Sequence, residues 1–125
     1  MDQFVLSEAT DGEVTLTCRG DLDLLTRAQL GSACHDALGA STRRLVVDLD
    51  DVDFLDSGSV RLLDQAAYLQ DRQGGVFTVV CTNDALRRVL RLTGFSARHR
   101  LFPQERSARL SWRDRARPSA RRAAR

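Results

Sequence analysis

Residues 45–60 read Leu-Val-Val-Asp-Leu-Asp-Asp-Val-Asp-Phe-Leu-Asp-Ser-Gly-Ser-Val. The first five, Leu45 to Leu49, form a short apolar, β-branched run of the kind found in strands buried on both faces with helices packed over them. Asp50, Asp51 and Asp53 interrupt before Phe54-Leu55. Asp56-Ser57-Gly58-Ser59 then leads into a helical pattern, with Val60, Leu63 and Ala67 on one face and Leu62, Ala66 and Leu69 beside it. Gly74-Gly75 ends that helix.

The pattern repeats on both sides of this stretch. Downstream, Val76 to Cys81 is a second apolar strand, and Asn83 caps a helix carrying Leu86, Val89 and Leu90 up to Gly94. A last short strand lies around Leu101-Phe102. Upstream, Phe4-Val5-Leu6 and the alternating Val14, Leu16 and Cys18 flank an Asp11-Gly12 turn, which predicts a hairpin. After Gly20 and Asp21-Leu22-Asp23-Leu24, Thr26 is positioned to cap a helix whose apolar residues Leu30, Cys34, Ala37 and Leu38 recur at three- and four-residue spacing until Gly39. Helices between successive apolar strands imply a mostly parallel sheet with right-handed crossovers, an α/β class or a closely related α+β arrangement.

A chain of 125 residues, 42% hydrophobic and 29% charged, suits one domain. Its apolar runs are too short to span a membrane, and no basic-then-apolar leader opens it, so a cytoplasmic protein without membrane contact is expected. Cys18, Cys34 and Cys81 are too few and too dispersed for a disulfide framework or a zinc site, and read as reduced, partly buried residues. The absence of lysine and isoleucine reflects a GC-rich coding sequence. Charge is unevenly placed. Residues 1–105 hold 11 arginines against 16 acids, a formal −5, whereas residues 106–125 hold eight arginines and Asp114 alone, a formal +7. The boundary is placed near Pro103, giving a domain over 1–103 and an Arg-rich tail over 104–125 that is expected to be disordered. The tail is read as a solvated end; contact with nucleic acid, aided by Trp112, and contact with the acidic domain itself are the other readings.

Enzyme signatures are missing. There is no phosphate loop, no G-x-G-x-x-G, no nucleophile elbow and no lysine for Schiff-base chemistry, so neither an enzyme nor a cofactor is expected. His35 and His99 read as partly exposed structural residues. Asp48, Asp50, Asp51, Asp53 and Asp56 carry the oxygen ligands a magnesium ion favours, but they read as strand and loop residues with no ligands elsewhere to close a site, so no metal is expected. Ser57, at a strand-to-helix junction, has two readings. It is either the helix N-cap, or a phosphorylation site where free amides and the positive end of the helix dipole stabilise an anion and Gly58 leaves the backbone open.

Gly20-Asp21-Leu22-Asp23 with Thr26, the run from Leu45 through Asp56-Ser57-Gly58, and Leu86-Arg87-Arg88-Val89-Leu90 with Thr93-Gly94-Phe95 together resemble the STAS domain of bacterial anti-sigma factor antagonists, from about Phe4 to Phe102. The resemblance implies a small α/β domain with a four- or five-stranded sheet, usually monomeric, that binds an anti-sigma factor with serine kinase activity and is released when that kinase phosphorylates it. It implies Ser57 as phospho-acceptor and Asp21, Asp23, Asp56, Ser57 and Gly58 as the partner-binding surface. The usual pattern, Asp-Ser-Ser/Thr-Gly-Leu, is here Asp56-Ser57-Gly58-Ser59-Val60, with glycine and the second hydroxyl residue exchanged, so Ser59 stands as a second candidate. The alternative reading is a non-switching STAS scaffold or accessory subunit of a stress-sensing or lipid-transport complex, in which Ser57 only caps a helix.

Overall fold

The computed structural model describes residues 2–39 and 41–102. The tail expected over 104–125 lies outside the described residues. The elements run β1 (Phe4–Glu8), β2 (Glu13–Leu22), α1 (Arg27–Ala37), β3 (Arg44–Leu55), α2 (Ser57–Arg72), β4 (Val76–Val80), α3 (Asp84–Leu92), α4 (Phe95–Arg98) and β5 (Arg100–Phe102). The five strands form one sheet in the order β1-β2-β3-β4-β5, with β1 antiparallel to β2 and every other pair parallel. This is the α/β architecture read from the sequence, with five strands rather than four.

Stepping from β2 to β5 in one direction with crossovers of one hand brings the helices to the same face of the sheet. The buried side chains Leu30, Cys34, Ala37, Val60, Leu63, Ala66, Leu86, Leu90 and Phe95 accordingly join one cluster with Val14, Leu16, Cys18, Leu45, Val47, Leu49 and Val79. Complete burial of each large apolar side chain contributes about 1.5–3 kcal/mol. Alternation puts Val46, Asp48 and Val80 on the other face, buried but outside that cluster. Leu45 to Leu49 is thus buried on both faces as expected, and the described helices pack over one of them.

One further expectation is corrected. Asp50, Asp51 and Asp53 do not interrupt β3, which continues through them to Leu55. Its pairing with β2 shifts register between Thr17 and Arg19 and again between Gly20 and Asp21, each time placing an extra β3 residue against β2. Gly20 supplies the left-handed backbone (φ +71°) at the second shift. Consequently Leu49, Val52 and Leu55 are all buried at a spacing of three rather than two. Beyond α3, Gly94 (φ +82°) opens the short α4, an element the sequence reading did not include.

Candidate partner-binding and phosphorylation site

The junction of interest lies at the carboxyl ends of β2 and β3. The final pairs of that ladder are Asp21 with Phe54 and Leu22 with Leu55. Beyond Leu22 the chain turns through a reciprocal box. Asp23 Oδ1 accepts from the N–H groups of Leu25 (3.0 Å) and Thr26 (3.3 Å), while Thr26 Oγ1 accepts from the Asp23 N–H at 3.1 Å and donates to the Asp21 carbonyl at 2.9 Å. Thr26 therefore stands at the N-cap position of α1 without capping it by its side chain. Its hydroxyl faces back into the loop.

Asp56 is the N-cap of α2, in extended backbone (φ −96°, ψ 169°), with Oδ1 accepting from the Ser59 N–H at 2.8 Å. The cap is Asp56, not Ser57. Ser57 is the first helical residue, exposed and released from the capping role. Asp56 Oδ2 takes an ion pair from Arg27 Nη2 at 2.8 Å, and the two side chains are 27% and 33% exposed. Partial burial raises the Asp56 carboxyl, but the Ser59 N–H, the nearby Ser59 hydroxyl and Arg27 outweigh it and hold the group below its ordinary value. That hydroxyl is itself fully buried, and its Oγ reaches no partner in good hydrogen-bonding geometry.

The expected site residues thus separate. Asp21, Asp23, Asp56, Ser57 and Gly58 come together at one end of the molecule, whereas Ser59 faces the interior at 0% exposure, out of a kinase's reach in the folded protein. Asp21 presents an exposed side chain; Asp23 is half-buried and shapes its own loop. Of the acids between Asp48 and Asp56, Asp48 and Asp50 brace the backbone. Asp48 Oδ1 accepts from the Asp50 N–H at 2.9 Å, and Asp50 Oδ1 accepts from the Thr82 N–H at 2.9 Å and its hydroxyl at 2.8 Å. Among the described residues no group of three or more His, Cys, Asp or Glu side chains could hold a metal ion. His35 is exposed on α1, and His99 lies against Asp64 and the rings of Phe77 and Phe95, so neither stands on the two loops. Cys18, Cys34 and Cys81 are free and buried, and burial raises all three thiols, Cys34 and Cys81 to about 11.

Residue patterns had not singled out two features. Leu24 and Leu25 in the β2–α1 loop are 73% and 84% exposed, and Phe54 at the end of β3 is 51% exposed. Adjacent leucines between Asp23 and the helix start were the available signal for the first pair. Arg27 gave no signal, since its partner is 29 residues away.

The family model for the STAS domain matches residues 5–108. The chain belongs to the STAS domain family. One relative is the anti-sigma-F factor antagonist RsfB of Mycobacterium tuberculosis, 33% identical over 92 residues, which are 74% of this chain and 75% of that protein. Among solved structures, an anti-sigma factor antagonist from Mycobacterium paratuberculosis superposes with a TM-score of 0.74 at 28% identity, covering 88% of this chain and 92% of that one. The phosphorylated form of the Bacillus cell fate determinant SpoIIAA superposes with a TM-score of 0.65 at 18% identity, covering 91% and 99%, and shares the STAS fold. Among the described residues no helix is long and apolar enough to cross a membrane.

Proposed function

We propose that this STAS protein is a cytoplasmic, monomeric anti-sigma factor antagonist that regulates transcription by partner switching. Its surface at the carboxyl ends of β2 and β3 docks an anti-sigma factor through Leu24, Leu25 and Phe54, rimmed by Asp21. That anti-sigma factor is also a serine kinase. It passes the γ-phosphoryl group of ATP to Ser57 Oγ, leaving ADP and the hydroxyl proton, and so ends the complex. The observation that carries this reading is the exposed Ser57 at the first position of α2, capped by its neighbour rather than by itself. The relationship to the antagonist RsfB supports the choice of partner.

The physical basis of release is charge. A phosphate adds about −1.5 to −2 beside an apolar contact surface and exposed acids, where it is costly to desolvate and repels any acidic groups of the partner. Replacing Ser57 by Asp is expected to weaken binding to the anti-sigma factor by at least about tenfold, or 1.4 kcal/mol, while Ser57→Ala binds as the unmodified protein does. Equal affinity of both variants would move the protein to the non-switching scaffold reading. Incubation with ATP and the kinase adds a single phosphate of about 80 Da, lost in Ser57→Ala.

A further inference from the structure

The exchange at residues 58 and 59 has a structural occupant. A Cβ on Gly58 would lie 2.3 Å from Arg27 Nη2 and 2.4 Å from Cζ, so the guanidinium fills the space that a serine or threonine side chain would need. The same Nη2 holds Asp56 at 2.8 Å. Arg27 therefore touches the residue before Ser57 and the residue after it. Its Nε is buried, with no hydrogen-bond partner among the described residues, which leaves one donor of the fork unused. Sulfate- or phosphate-like oxygens suit such a fork, because a guanidinium presents paired donors in one plane.

We infer that Arg27 is the internal receptor for a phosphate on Ser57, an inference that rests on Ser57 being the acceptor. The phosphoryl oxygens compete with Asp56 for the guanidinium and draw it across the first turn of α2. Two changes follow together. The phosphate is partly neutralised within its own molecule, and the Asp56 carboxylate loses its cation and adds a second negative charge to the docking surface. Gly58 leaves the guanidinium this place, since a side chain there forces the end of Arg27 to shift out of it.

The test uses the full chain with phosphoserine installed at residue 57 during translation, so that neither kinase nor partner is needed. The pH titration midpoint of the phosphate is followed by phosphorus NMR in the otherwise unsubstituted protein, in Arg27→Gln and in Gly58→Ala. The helix N-terminus acts on all three alike, so differences isolate the guanidinium. The midpoint is expected at least about half a pH unit lower in the unsubstituted protein than in Arg27→Gln. Gly58→Ala, which keeps Arg27 but fills its place, is expected to match Arg27→Gln. Circular dichroism of the unphosphorylated variants confirms that each is folded. Equal midpoints in the unsubstituted and Arg27→Gln proteins would overturn the inference, as would a Gly58→Ala midpoint equal to that of the unsubstituted protein. Because phosphoserine is installed during translation, failure here is distinct from a failure of Ser57 to be phosphorylated or to control binding.

Discussion

The backbone N–H of Asp56 donates to the Leu22 carbonyl at 3.1 Å, tying the start of α2 to the end of β2. The Arg27–Asp56 ion pair repeats the connection through side chains. The loop bearing Leu24 and Leu25 and the turn bearing Ser57 are thereby held as one body, so a change at Ser57 acts on a surface already formed.

Replacing Asp56 by Ala removes the cap from Ser59 and the counter-ion from Arg27, and is expected to cost about 1–2 kcal/mol at pH 7. The folded-state pKa of Asp56 lies below its ordinary value of 3.8, so its contribution is present above that value and is lost as pH falls through the lowered one. Urea denaturation of both proteins from pH 7 to pH 2 is expected to show their stability gap closing below about pH 4.

Ser59→Ala removes a buried hydroxyl with no well-formed hydrogen bond and installs a better helix former. Stability is expected to be unchanged or to rise by up to about 1 kcal/mol. Phosphate incorporation at residue 57 should persist in this variant, read by peptide mapping; its loss would restore Ser59 as the acceptor.

Phe54→Ala and Leu25→Ala truncate exposed side chains and leave the core intact. Each is expected to weaken anti-sigma factor binding by at least about tenfold in calorimetric titration, with thermal midpoints within about 2 °C of the parent. A fall in the midpoint with unchanged affinity would show that these side chains serve the fold.

Halfway along α2, Asp64 pairs with Arg98 and His99, tying that helix to the segment before β5. Partial burial raises the Asp64 carboxyl, but the hydrogen bonds from Arg98 and His99 outweigh it and hold it below its ordinary value. Asp64→Asn is expected to cost about 1 kcal/mol at pH 7, limited by the half-exposed arginine. By the same sign of linkage as for Asp56, that cost fades as pH falls below about 4, measurable by thermal unfolding at two pH values.

The hairpin, the three longer helices and the parallel order were legible because periods of two and 3.6 survive in Val14, Leu16 and Cys18 and in Leu30, Cys34 and Ala37. The second half of β3 was not. Its two bulges set Leu49, Val52 and Leu55 three apart, and the acids between them look like a loop. The choice of cap was equally hidden, because Asp56 and Ser57 are adjacent and both suited to the role. Only backbone geometry assigns it to Asp56. Arg27 was out of reach because its contacts join two crossovers, and α4 is too short at four residues to show a period.

The sheet places each strand beside its predecessor in the chain. As the protein is synthesised, every new strand therefore meets an edge that already exists, and no earlier pair has to part to admit it. Each parallel pair closes across a single helical crossover, as between Glu13 and Arg44 and between Arg44 and Val76. Leu24, Arg27, Asp56 and Ser57, at the two strand-to-helix junctions, all belong to the first half of the chain. The second half then supplies Val79, Leu86, Leu90 and Phe95 to complete the core.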